Sequence, residues 1–353
     1  MDERVKKLAD ILVNYSCNIK AGEKILIAGD TEAKPLMIEC YREALKRKAH
    51  PLIRVDFLET KKILFDEGDD NQIEYKDNIR KYTFENIDAL INIYAPSNLK
   101  MLTSVNPDKQ VKFSKANKEC VDIIMKKKWV GVNYPTNALA QEAGMSLEEY
   151  ENFVYGATNI DWEKTKSSMA EIKKIFDSGS KIRILGKDTD LTFSIEGREG
   201  TMCCGENNMP DGELFYAPVE NSANGEIYYE FPAITNGREV EGVRLKFKDG
   251  KVVEAKAKKN EEFLIAMLDT DEGSRFIGEF GIGLNYGIDR FTKDILFDEK
   301  IGGTIHLAVG QAYEESGGTN ESAVHWDMVK DLRSHGQIFI DDKLVQQNGK
   351  FLV

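Results

Sequence analysis

Apolar and polar positions follow two different rhythms along this chain of 353 residues. In the first half, short continuous apolar runs alternate with segments of helical spacing. Lys24–Gly29 reads as a buried strand, and Pro51–Val55, Ala89–Tyr94 and Trp129–Tyr134 read as further strands. Leu36, Cys40, Ala44 and Leu45 fall on one side of a helix over Lys34–Lys48, and Ala116, Cys120, Ile123 and Ile124 mark another around Lys115–Lys127. Strand, helix and strand of this size close as right-handed crossovers in a parallel sheet. The turn Ala28-Gly29-Asp30-Thr31 lacks the spacing of a Gly-rich phosphate loop. It reads as a strand-to-helix turn with Asp30 or Thr31 as the cap.

Beyond residue 145 the rhythm changes. Ser146 and Glu149 form a capping box at the start of a helix, and a second helix runs from about Trp162 to Phe176. Period-2 alternation then takes over in Lys181–Leu185, Asp190–Ile195, Val243–Phe247 and Val252–Ala257. The last two flank Lys248-Asp249-Gly250-Lys251, a hairpin signal. A short helix near Glu261–Leu268 and strands at Gln337–Ile340 and the chain end complete the pattern. The fold class is therefore α/β plus α+β. A parallel-sheet, Rossmann-like α/β domain occupies residues 1–165, and a β-rich domain that carries the metal chemistry occupies 166–353.

Composition narrows the function. A net charge of −12 excludes a basic nucleic-acid surface, and no apolar run approaches a membrane span. The first residues lack a signal-peptide core, which places the protein in the cytoplasm. Five scattered cysteines read as reduced thiols.

The concentrated chemistry lies in the second half. In Ala323–Val329, His325 and Asp327 point to one face of a strand while Val324, Trp326 and Met328 point to the other. His306 sits in a second alternating run, Thr304–Ala308. A single histidine of this kind is ordinarily a core residue with satisfied nitrogens. Two among only four, one with Asp at i+2, point to a metal. Three carboxylates join them: Glu213 after a Pro-Asp-Gly turn, Glu279 between glycines in an apolar strand, and Glu299 shortly before the His306 strand. Carboxylates in such settings are costly unless paired or metal-bound. Glu213 and Glu299, taken singly, read equally well as ion-paired or edge positions.

Pro210-Asp211-Gly212-Glu213, Gly278-Glu279-Phe280-Gly281-Ile282-Gly283-Leu284-Asn285, His306-Leu307-Ala308 with Tyr313, Gly317-Gly318, and His325-Trp326-Asp327-Met328 together resemble the M29, or aminopeptidase T, family of metalloaminopeptidases. The resemblance implies a dinuclear metal site in the β-rich domain, a homodimer, and metal-ligand roles for Glu213, Glu279, His306, His325 and Asp327, with Tyr313 nearby. Two imidazoles, several carboxylates and no thiolate suit two divalent ions such as Zn, Co or Mn, with Glu279 as the bridge. The expected substrate is a short peptide with a free N-terminus. Glu299 would be general base or extra ligand, and Tyr313 a hydrogen-bond donor to the oxyanion. An alternative from another class is a non-haem Fe(II) ring-cleaving dioxygenase using His306, His325 and Asp327 as its triad.

Overall fold

The computed structural model describes residues 2–352 except Asn236. The chain divides into two compact units, Met1–Asn159 with Gly205–Pro210, and Ile160–Cys204 with Asp211–Val353. The helix Trp162–Asp177 belongs whole to the second unit, and the short segment Gly205–Pro210 returns to the first.

The first unit holds a parallel sheet in the order His50–Asp56, Lys24–Asp30, Ala89–Tyr94, Lys128–Asn133 and Asn208–Met209. Each of the four longer strands lies within two residues of its sequence-predicted run; Lys24–Asp30 and Ala89–Tyr94 are largely buried, whereas the edge strand His50–Asp56 leaves Leu52, Ile53 and Val55 exposed. The helix Lys34–Lys46 buries Leu36, Cys40 and Ala44 as its spacing requires, but Leu45, expected on the same side, is exposed. The later helix is longer than predicted, Pro107–Ile124, with Pro107 in its first turn and Asn106 capping Asp108. Helices Leu58–Glu67 and Asn78–Asn86 bury a single residue each, Phe65 and Phe84. That leaves no apolar stripe in the sequence to announce them. Asp30 does not cap the turn that follows it; its carboxylate accepts the Ala95 amide at 2.8 Å instead.

The second unit is built on two antiparallel sheets. One runs in the order His325–Asp331, Thr304–Gly310, Ile277–Gly283, Glu213–Tyr216 and Thr201–Cys203. The other has eight strands, from Lys251–Lys256 at one edge to Lys350–Phe351 at the other. The core joins the inner faces of both. Leu214, Phe280, Ile282, Ile305, Leu307, Trp326 and Met328 meet Ile182, Ile184, Leu191, Phe193, Leu245 and Ile338. Helix Trp162–Asp177 adds Met169, Ile172 and Phe176, and helix Glu261–Leu268 adds Leu264 and Leu268. With period 2 in every strand, the residues between these apolar ones turn to the opposite face. That face carries the polar cluster.

Candidate metal centre

Four adjacent strands of the five-stranded sheet deliver the predicted residues to one place. In register, Gly283 pairs with Glu213, Gly281 with His306, Ala308 with both Glu279 and Asp327, and Gly310 with His325. The side chains therefore converge across neighbouring strands, and glycine or alanine occupies the intervening positions. Gly281 is required there for space. A β-carbon at that position would lie 1.9 Å from His306 Nε2, inside the ring. The turn before Glu213 has a similar need: Gly212 has a φ of +114°, and its own β-carbon would lie 2.8 Å from that of Asn285. Asn285 Nδ2 donates to the Asp211 carbonyl at 2.8 Å and fixes this turn.

Both histidines are oriented by backbone. His306 Nδ1 lies 3.0 Å from the Glu299 carbonyl and His325 Nδ1 lies 2.8 Å from the Gln311 carbonyl. A carbonyl only accepts, so each Nδ1 carries its proton and each Nε2 is the remaining basic nitrogen. His306 Nε2 faces Glu279 Oε1 at 3.0 Å and Glu213 Oε2 at 3.6 Å. His325 Nε2 faces the other Glu279 oxygen, Oε2, and Asp327 Oδ2, each at 3.6 Å. Two sets of donor atoms result, Glu213–Glu279–His306 and Glu279–His325–Asp327, with the atoms of each set within 4.8 Å of one another. Glu279 is common to both.

Such an arrangement of acceptors is stable only with a cation among them. Glu213 Oε2 and Asp327 Oδ1 are buried with no hydrogen-bond partner. Burial pushes Glu213 up to about 8 and Asp327 up to about 6, with the surrounding carboxylates adding to the shift. For His306 burial acts against the imidazolium. Its hydrogen bond to Glu279 and the charges of Glu213 and Glu279 outweigh that and carry it to about 10. In the absence of metal the cluster retains protons, and divalent metal would satisfy the same oxygens and nitrogens. The residues present fit a metal centre.

Glu299 caps the short helix Ile295–Asp298. Its backbone orients His306, and its carboxylate forms a third donor set with His306 and Asp327. Tyr313 stands at the rim, 45% exposed, with its ring centroid 5.0 Å from that of His325 and 5.6 Å from that of Phe215. Burial and the carboxylates raise its pKa, so the phenol is protonated at neutral pH.

Three contributors lie outside the residues singled out from sequence. Lys300 is fully buried, with Nζ in contact with the Glu299 carboxylate and 3.6 Å from Glu213. It is the fixed counter-cation of the cluster. The signal for it was the cluster itself, because several buried carboxylates require one. Asp271 accepts from Ser274, from the Ser322 hydroxyl at 2.8 Å and from the Ala323 amide at 2.7 Å, and so holds the entry to the His325 strand. Cys203, half-buried, lies with Asp211 and Glu213 in a further donor set. All five cysteines are free.

The model of the thermophilic metalloprotease (M29) family matches residues 1–351. The chain belongs to this family and is a metal-dependent hydrolase of peptide bonds. It is 25% identical over 381 aligned residues to aminopeptidase 2 of Geobacillus stearothermophilus, spanning 93% of this chain and 92% of that one. It is 27% identical over 380 residues to aminopeptidase T of Thermus thermophilus, spanning 92% and 91%. The solved structure of wild-type AmpT from Thermus thermophilus has the same fold, with a TM-score of 0.85 over 99% of both chains at 23% identity. None of these likenesses supports the Fe(II) dioxygenase alternative. No helix among the described residues is long and apolar enough to cross a membrane.

Proposed function

We propose that this metalloaminopeptidase removes N-terminal residues from short peptides with a free α-amino group, and that Glu213, Glu279, His306, His325 and Asp327 hold two divalent metal ions. The observation that carries the reading is Glu279, which turns one oxygen to His306 and the other to His325. A carboxylate so placed serves as the bridge between two centres. When bound, such a pair of ions, whether Zn, Co or Mn, supplies a Lewis acid for the scissile carbonyl and an acidified water.

The chain's own groups supply the rest. The Lys300 ammonium holds the Glu299 carboxylate in place beside the donor set, where it can take a proton from the attacking water. The protonated Tyr313 hydroxyl donates to the developing oxyanion from the rim. The carboxylate-rich surroundings attract the substrate's α-ammonium. The homodimer and the cytoplasmic location belong to the same proposal and rest on the family likeness and the sequence.

The test uses protein stripped of metal and reloaded separately with Zn²⁺, Co²⁺, Mn²⁺ and Fe²⁺, each form given short peptides with free and with N-acetylated termini. Mass spectrometry is expected to show stepwise loss of N-terminal residues from the free-amine peptides alone. Equal cleavage of the acetylated peptides, or none with any metal, contradicts the reading.

A further inference from the structure

An open groove of about 710 Å³ lies in the first unit, at the carboxyl ends of the strands Lys24–Asp30 and His50–Asp56. Ligands of parallel α/β sheets bind at this end. Three cations converge on it: Arg54 from the second of these strands, Lys61 from helix Leu58–Glu67, and Arg80 from helix Asn78–Asn86. The guanidinium carbons of Arg54 and Arg80 stand 5.8 and 5.3 Å from the centroid of the same ring, Phe84. Lys61 Nζ stands 5.3 Å from the Phe113 centroid. Aromatic faces attract cations, but they do not neutralise three of them within one groove.

The three carboxylates lining the groove each have a partner of their own. Asp56 pairs with Arg54 at 3.0 Å. Asp77 caps its helix by accepting the amides of Ile79 and Arg80. Asp30 accepts the Ala95 amide. Among the described residues, Lys61 and Arg80 make no ion pair. The Arg80 side chain has only a long 3.4 Å hydrogen bond to Asn117 Oδ1, and its Nε is buried with no partner. Burial lowers the pKa of both groups, with the neighbouring cation adding to the effect. Arg80 and Lys61 thus keep donors without a carboxylate partner in a groove that Asp30, Asp56 and Asp77 also line, and such donors are open to an anion.

We propose that this groove binds a small phosphate monoester carrying an aromatic group. Two facing cations, one of them a guanidinium fork, match a phosphate dianion better than a single carboxylate. Phe57 and Phe113 in the groove lining offer the apolar surface for the attached ring. Recognition is by side chains, which agrees with the absence of a Gly-rich phosphate loop after the first strand.

The test is calorimetric titration of the metal-loaded, full-length protein with phenyl phosphate and with inorganic phosphate. Phenyl phosphate is expected to bind saturably and more tightly than inorganic phosphate. Arg80→Gln and Lys61→Gln should each weaken it by about tenfold or more. Asn117→Asp, which sets a carboxylate against the guanidinium, should abolish binding with the fold intact. Peptide cleavage by all three variants should stay within about twofold of wild type, since none lies among the metal-site residues. Absence of saturable binding up to about 10 mM phenyl phosphate, or unchanged affinity in all three variants, overturns the assignment.

Discussion

The imidazole of His306 fills the space that a side chain on Gly281 would occupy, across the antiparallel pair that joins their strands. Position 281 is therefore part of the site although it offers no atom to a metal. Gly281→Ala is expected to drive His306 away from Glu279 and Glu213, to cost about 1–3 kcal/mol of stability through overpacking, and to abolish stoichiometric metal binding. Metal content by mass spectrometry together with a thermal melt checks both. A variant that keeps its full metal complement contradicts the placement of His306.

Metal loading should release protons. Glu213 is pushed up to about 8 and His306 to about 10 in the metal-free cluster, so both hold protons at neutral pH that a metal must displace. Apparent affinity is expected to climb as pH rises from 7 through this window. Titrations of stripped protein in buffers of different ionisation enthalpy measure the release. Affinity that does not change with pH contradicts it.

Lys300 balances Glu213 and Glu299 from a fully buried position. Lys300→Met leaves Glu299 without its ammonium partner, a loss of about 3–5 kcal/mol for breaking a buried pair. The loss should be largest in the stripped protein, since bound ions compensate the same oxygens. Melting temperatures of stripped and loaded forms make the comparison, and equal losses in the two would count against a shared set of oxygens.

How much of this was open to a reader of the sequence depends on what each residue packs against. The parallel strands and the β-rich second half were legible because apolar runs and alternation mark extended chain, although the run in His50–Asp56 proved largely exposed. That Glu279, His306, His325 and Asp327 come together was legible because an ionisable side chain inside such a pattern is anomalous, whereas Glu213 stood out only through the family resemblance. Helices Leu58–Glu67 and Asn78–Asn86 were not, because a helix that buries one side chain leaves no periodic stripe. Lys300 was hidden for a different reason. A lysine beside a glutamate is ordinary on any surface, and only the fold shows that its ammonium is enclosed. Asp271 acts across 51 residues of chain on Ser322, a relation no local spacing encodes.

That long-range contact has its own pH signature. Hydrogen bonds from Ala323, Ser274 and Ser322 hold Asp271 down to about 2, below its ordinary 3.8. A depressed carboxylate contributes its stability above the ordinary value and loses it as pH falls through the lower one. Asp271→Asn should therefore melt below wild type at pH 7, and the gap should close between pH 4 and pH 2. Melting temperatures across that range decide it, and a gap that persists unchanged into acid would show that the charge of Asp271 is not what holds the loop.

The central claim is that Glu279 joins two metal positions, one with Glu213 and His306 and one with His325 and Asp327. Equilibrium dialysis with elemental analysis tests it most directly, on wild type and on His325→Ala, His306→Ala and Glu279→Ala. The account expects two divalent ions per wild-type chain, one after either histidine is removed, and none retained tightly without Glu279. A single ion per wild-type chain, or two still bound without Glu279, would contradict it.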